Sequence, residues 1–449
     1  MTPAVSGQAA GTAHGDRGHR TVLVSSLLGT TIEWYDFFLY STAASIVFGE
    51  LFFPAGDGVV GTLASFATFF VGFLARPIGA VLFGHIGDRL GRKRTLVTTM
   101  VLMGAATALV GALPTYEQAG VLAPVLLVLL RVLQGLAIGG EWAGAVLLAV
   151  EYAPPGRRGR YGSWPQAGLG IGLAMGTGVF ALLGQVLDDR HFTAHGWRLA
   201  FGLSIVLVLI GLLVRLKVEE TPAFARLERP SRLPLAELLR HRPSRRHLAL
   251  GMLARWGDGV AFNTWAVFAI SYCTGLGMSR TSVLLGVTAA ALVLAVLIPF
   301  VGRGVDRIGP RRTYLGGMVL FGMAVVPAFL GFETRDPWVV GGVLVVALGI
   351  VYAISYAPEG TLFAQLFPTG TRYTGMSVVY QFSGIYASGL TPMLITALFA
   401  LGGGSLWWVC AYLVFTAVVS TVATAAIRTG DLYLEPESAT DTRGRPVAV

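Results

Sequence analysis

Successive apolar runs of about 20 residues fill this chain, and each is long enough to cross roughly 30 Å of hydrocarbon. About twelve can be placed, near 21–48, 60–84, 95–113, 121–149, 162–186, 198–216, 247–273, 282–302, 313–331, 338–362, 374–399 and 405–427. Within a bilayer every backbone N–H and C=O must be paired inside the segment, so runs of this length are helices. Only 13% of the 449 residues are charged and 54% are hydrophobic, against roughly 25% charged in a soluble domain. The expected fold class is an all-α integral membrane protein with about twelve transmembrane helices.

A net charge of +9 would suggest nucleic acid in a soluble chain, but here the basic residues occupy alternate loops. Arg17 and Arg20 precede the first run, Arg89, Arg92, Lys93 and Arg94 follow the second, and Arg157, Arg158 and Arg160 follow the fourth. That alternation is a topology signal, and it places both termini in the cytoplasm. Residues 1–20 are polar, without the apolar core of a cleavable leader. Two cysteines, with no CxxC and no HExxH, suggest neither disulfide nor metal. The glycines of AGLGIGLAMG do not form GxGxxG, and no Walker sequence occurs, so a nucleotide cofactor and ATP-driven work are disfavoured. Gly168, Gly172 and Gly176, like Gly135 and Gly139, recur every four residues, the spacing of close helix packing.

The stretch 218–246 breaks the apolar rhythm with prolines and charges. It reads as a cytoplasmic linker between bundles at 21–217 and 247–428, with tails at 1–20 and 429–449. The halves repeat: GHIGDRLGRKR from Gly84 aligns with GRGVDRIGPRR from Gly302, Glu141 meets Glu359 at the same offset, and EWYD from Glu33 meets RWGD from Arg255. Two six-helix bundles related by a pseudo-two-fold axis are the design of a carrier that rocks around a mid-membrane site.

GHIGDRLGRKR resembles the loop motif of the major facilitator superfamily, RVLQGLAIGG its fourth-helix motif, and EYAPPGRRG the pattern after that helix. EWYDFFLY, FLARPIGA, GGEWAGA and GSWPQAG together resemble a narrower group, the metabolite:proton symporters, which includes shikimate, α-ketoglutarate, citrate and proline/betaine carriers. The likeness covers nearly all of 25–428. It implies the major facilitator fold, and it implies that Arg131 takes part in proton coupling. Two positions depart from the family pattern: Gln365 stands where the second half usually has an acid, and Pro310 where the second loop motif often has Arg.

Charges inside the apolar runs are the candidate machinery, because each costs roughly 2.5–3.5 kcal/mol near the bilayer centre. Glu33 and Asp36 share one helix face, and their proximity and burial suit a proton carrier or a permanent lock to an arginine. Arg131, Gln134 and Glu141 share a broad polar face of the fourth run at about 100° per residue, and Arg131 suits a substrate anion, the Asp36 carboxylate, or helix packing. The proton-coupling set is thus Asp36, Glu33, Arg131 and Glu141. Arg255 and Asp258 either face substrate or neutralise each other. Arg76 binds substrate, braces the inner gate, or pairs with Glu141. With Arg131, Arg76, Arg255 and Asp258, the residues Asn263, Trp265, Tyr380 and Gln381 are the candidate substrate wall, with Tyr272 and Tyr386 in reserve. At the membrane edge Asp88, Arg89, Arg92, Glu151, Arg158, Asp306 and Arg307 suit a cytoplasmic gate of ion pairs and helix-end contacts, part of their charge being plain topology signal.

The expected function is proton-coupled symport of a small polar organic metabolite, with an organic acid favoured, across the inner membrane by a monomer. Its partners are substrate, protons and lipid, with no nucleic acid. A proton antiporter exporting drugs or cationic metabolites is the alternative, and a non-transporting sensor or membrane enzyme lies further off, with no nucleophile–base set to support it.

Overall fold

The computed structural model describes the backbone of residues 8–54, 58–90, 92–139, 141–151, 153–154, 156–217, 238–368 and 371–433, and side chains over most of these. Most of the expected linker and the tail beyond Tyr433 lie outside them. The long helices are α1 (Gln8–Ile46), α2 (Gly58–Leu90), α3 (Arg92–Ala112), α4 in two pieces (Leu122–Ile138 and Glu141–Glu151), α5 (Arg158–Val186) and α6 (Trp197–Lys217). The second half repeats them as α7 (Arg242–Asn263, Thr264–Phe268, Ala269–Gly275), α8 (Arg280–Ile308), α9 (Pro310–Glu333), α10 (Pro337–Leu344, Val345–Val351, Tyr352–Ala364), α11 (Arg372–Gly384, Ile385–Gly389, Thr391–Leu401) and α12 (Trp407–Ala426). Among the described residues nine spans are apolar and long enough to cross a membrane. The rods outside that set are α1, which carries Glu33 and Asp36, α7, which carries Arg255 and Asp258, and α3, whose apolar part is Val97–Ala112.

Local sequence sets several boundaries. Asp336 caps α10, its Oδ1 accepting from the N–H groups of Trp338 (2.8 Å) and Val339 (3.2 Å), with Pro337 in the first turn. Pro310 opens α9 after Gly309, whose φ of 92° lies in the left-handed region. The Pro that departs from the loop motif therefore starts a helix, where its missing N–H costs nothing.

Packing repeats with the chain. In the first half α1 lies on α5, α2 on α4 and α3 on α6; in the second, α7 lies on α11, α8 on α10 and α9 on α12. The halves meet chiefly along α5 and α8, and along α2 and α11. Small residues make these contacts close, as the four-residue glycine spacing predicts. A Cβ on Gly135 would come within 2.2 Å of the Gly72 carbonyl oxygen, and one on Gly172 within 2.8 Å of the Tyr35 nitrogen. Such approaches maximise dispersion where lipid tails offer no hydrophobic drive.

Three second-half helices, α7, α10 and α11, lose α-register in π-type turns at 264–268, 345–351 and 385–389. Turns of this kind cluster at functional sites. The first two adjoin Asn263 and Tyr352 and the third contains Ser388, and all three residues line the central chamber described next.

Candidate functional site

Between the halves lies a chamber walled by Trp34 and Phe37 of α1, Phe73 and Arg76 of α2, Leu169 of α5, and Arg255, Gly259, Phe262 and Asn263 of α7. Tyr352 of α10, and Tyr380 and Ser388 of α11, complete it. It leaves about 20 Å³ for the centre of a water molecule, room for about one water. Contacts between the halves close both sides. Away from the linker, Ser45 Oγ donates to the Val267 carbonyl (3.3 Å) and Ser271 Oγ to the Ser45 carbonyl (2.9 Å). Towards the linker, Trp142 stacks on Tyr380 with centroids 3.7 Å apart, and Gln381 donates to the Gly139 carbonyl at 2.7 Å.

Arg76 and Arg255 reach the chamber from opposite halves. The Arg76 guanidinium lies over Phe73 (4.1 Å) and Phe37 (4.8 Å), with Glu33, Tyr380 and Arg255 as its principal charged or ionisable neighbours. Arg255 stacks on Tyr380 at 3.7 Å, donates to Ser383 Oγ at 3.3 Å, and places Nε 3.1 Å from Glu359 Oε1. This last contact is an ion pair by distance, its N–H being turned off the hydrogen-bond direction. Asp258 does not close onto Arg255 as the i,i+3 spacing suggests. It accepts from Ser355 Oγ (2.9 Å) and Tyr352 Oη (3.2 Å), because its short side chain meets α10 while the longer arginine reaches past it to Glu359.

A second polar cluster sits within the first half. Arg131 Nη1 donates to Gln134 Oε1 at 3.2 Å, Gln134 Nε2 donates to Thr107 Oγ1 at 2.8 Å, and Thr107 donates to the Met103 carbonyl at 2.9 Å. The guanidinium lies over Tyr40 (4.2 Å), Phe69 (5.1 Å) and Phe37 (5.2 Å). Asp36 is buried beside Thr107, yet neither of its carboxylate oxygens has a hydrogen bond of ordinary geometry. The expected Asp36–Arg131 pair is absent among the described residues: arginine turns to Gln134 and the aromatic rings instead. Nor does Arg131 reach the chamber wall; the Phe37 ring stands in that wall.

The other expected wall residues divide. Asn263 and Tyr380 line the chamber. Trp265 does not; it packs among Phe321, Phe329 and Phe332 of α9, a large apolar ring buried where it meets others. Gln381 spends its amide on Gly139. Tyr386 donates to the Met252 carbonyl, and Tyr272 to Glu333, both away from the chamber. The fourth run is described as Leu122–Ile138 and Glu141–Glu151, with Gly140 between them outside the described residues. The Glu141 side chain lies outside the described residues, as do those of Asp88, Arg89 and Arg92.

At the linker end Asp306 of α8 accepts from the Gly159 N–H (2.6 Å) and the Arg160 N–H (3.2 Å), capping α5 of the opposite half. A carboxylate at a helix N-terminus meets unpaired N–H groups and the positive end of the dipole. Arg372 Nη1 stands 3.9 Å from Glu151 Oε1, joining α11 to the end of α4. Thr361 of α10 donates to the Arg158 carbonyl at 3.4 Å, and Arg307 is exposed. Sequence reasoning did not assign Glu359, Tyr352, Ser355, Ser383 or Trp142 to the site, although the repeat offset from Glu141 had marked Glu359.

Two repeated six-helix bundles around a closed, charged chamber define a membrane carrier rather than an enzyme. Residues 21–233 match the family model for sugar (and other) transporters, and 248–447 that of the major facilitator superfamily. The chain is 38% identical to the shikimate transporter of Escherichia coli (strain K12), over 92% of this chain and 95% of that one. It is 41% identical to the inner membrane metabolite transport protein YhjE of the same strain, over 83% and 86%, and 32% identical to its proline/betaine transporter, over 90% and 82%. The fold matches the crystal structure of a D-xylose-proton symporter with a TM-score of 0.71 at 16% identity, over 90% and 97%. The chain belongs to the major facilitator superfamily, in its metabolite:proton symporter family.

Proposed function

We propose that this carrier imports a small organic acid together with protons across the inner membrane, by alternating access and as a monomer, with both termini cytoplasmic. One observation carries the sign of the substrate: of the described residues that line the chamber, two are arginines, Arg76 and Arg255, and none is an acid, Glu33 standing beside Arg76 outside the lining. Glu359 and Asp258 are turned to Arg255, Tyr352 and Ser355. A carboxylate between the arginines would gain charge-assisted bonds from both halves at once, whereas a cation would meet two positive charges. That weighs against export of cationic compounds.

Asp36 is the proposed proton site, with Glu33 beside it. The Asp36 carboxyl is buried with no hydrogen bond of ordinary geometry and no paired arginine among the described residues, the setting of a group that exchanges a proton rather than one locked in an ion pair. Arg131, held by Gln134 and the aromatic rings, supplies the positive charge that responds when that proton leaves. Asn263, Tyr380 and Ser388 offer hydrogen bonds to the uncharged part of the substrate. Asp306 on α5 and Arg372 with Glu151 are the proposed cytoplasmic gate contacts, with Asp88 as the repeat counterpart of Asp306. Uptake of a labelled metabolite panel into proteoliposomes, with and without an inward proton gradient, tests this reading. Gradient-stimulated uptake of acids supports it; uptake of cations alone contradicts it.

A further inference from the structure

On the linker side of the chamber, α11 holds α4 through two adjacent residues. Gln381 gives its amide N–H to the Gly139 carbonyl at 2.7 Å, and Tyr380 stacks flat on Trp142 at 3.7 Å with an interplanar angle of 16°. Trp142 is in turn fixed from behind: its indole N–H donates to Gln166 Oε1 (3.0 Å), and Gln166 Nε2 donates to the Tyr356 carbonyl (3.2 Å). The other face of the matter is Arg255, whose guanidinium lies 3.7 Å from the Tyr380 centroid. Tyr380 lines the chamber and Trp142 does not.

We propose that Trp142 and Tyr380 form the gate that closes the chamber on the linker side, with Trp142 a positioning residue that holds Tyr380 in contact with Arg255. The chain Arg255–Tyr380–Trp142–Gln166–Tyr356 crosses between the halves twice, so the linker side cannot open without parting the stack and freeing the Gly139 carbonyl and the Gln166 amide. These are discrete contacts that rocking of the halves would have to break, which is what a two-state gate requires. Because an anion on Arg255 competes with Tyr380 for the same guanidinium, binding and closure are coupled at this ring.

The test uses a reporter that needs no substrate, so it stands apart from the proposed transport of acids. In full-length protein with Cys273→Ser and Cys410→Ser, Ser388→Cys places one thiol on the chamber wall. Its labelling by a membrane-impermeant methanethiosulfonate is followed in vesicles exposing the linker side and in vesicles exposing the other. Trp142→Ala should speed labelling from the linker side about fivefold, the effect of losing one aromatic pair, and leave the opposite side unchanged. Trp142→Phe, which keeps a stacking ring, should restore most of the parent rate. Gln381→Leu tests the same gate independently and should also act from the linker side alone. Parent-like labelling of Trp142→Ala and Gln381→Leu, or equal acceleration from both sides, would overturn the proposal.

Discussion

Arg255 Nε and Glu359 Oε1 stand 3.1 Å apart, both side chains buried, and the pair joins α7 to α10 beneath the chamber wall. Removing one member of such a pair leaves the other uncompensated, at about 3–5 kcal/mol. Arg255→Ala strands Glu359 and should lower stability by that amount. Glu359→Gln leaves the arginine its Tyr380 ring and Ser383 hydroxyl and should cost less, about 1–3 kcal/mol. Thermal unfolding of the two variants in detergent checks the order.

Arg76 and Arg131 separate binding from coupling. Arg76→Ala removes a guanidinium from the chamber wall and should weaken binding of an acid by about 2–5 kcal/mol. Arg131→Ala leaves the wall intact, so affinity should fall far less while proton-driven accumulation drops. Equilibrium binding alongside gradient-driven uptake distinguishes them, and equal loss of affinity in both would place Arg131 with the substrate.

Glycine packing gives a sharper structural test. A Cβ on Gly79 would lie 2.0 Å from the Leu136 carbonyl oxygen, so Gly79→Ala must push α2 from α4, at about 1–3 kcal/mol. Gly304 has nothing within 4 Å of its added Cβ, and Gly304→Ala should be neutral or stabilising by up to about 1 kcal/mol. Melting temperatures of the two variants report the contrast.

Asp306→Asn keeps the shape of the α5 cap and removes its charge. The cap joins opposite halves, so its loss should change turnover while leaving binding nearly intact. Substrate counterflow rates with parallel binding measurements check this. Equal loss of both would make the residue a fold element rather than a gate.

The spans, their two-fold repeat and the charged positions were legible because hydropathy and sequence offset are one-dimensional signals. Interhelical partners were not. The i,i+3 spacing of Arg255 and Asp258 suggests a pair along one helix, but side-chain reach decides the outcome, and the long guanidinium crosses to α10. Asp36 and Arg131 lie on separate helices, and no spacing rule says that arginine would turn to Gln134 and Tyr40. The π-type turns of α7, α10 and α11 carried no signal, since TWAVF, VVALGIV and IYASG share no pattern and each can sit in an α-helix. Trp265 shows the limit for aromatics: its type fits a cavity wall and a core equally, and only packing tells them apart.

The central claim, that Asp36 carries the coupling proton for an acid held by Arg76 and Arg255, is tested most directly by proton flux in proteoliposomes. The most strongly accumulated acid of the panel is pulsed onto de-energised vesicles while external pH is recorded. The parent protein should alkalinise the medium as protons enter with substrate. Asp36→Asn should fold normally and exchange labelled for unlabelled substrate, with no pH change. Acidification by the parent, or a normal alkaline signal from Asp36→Asn, would contradict the account.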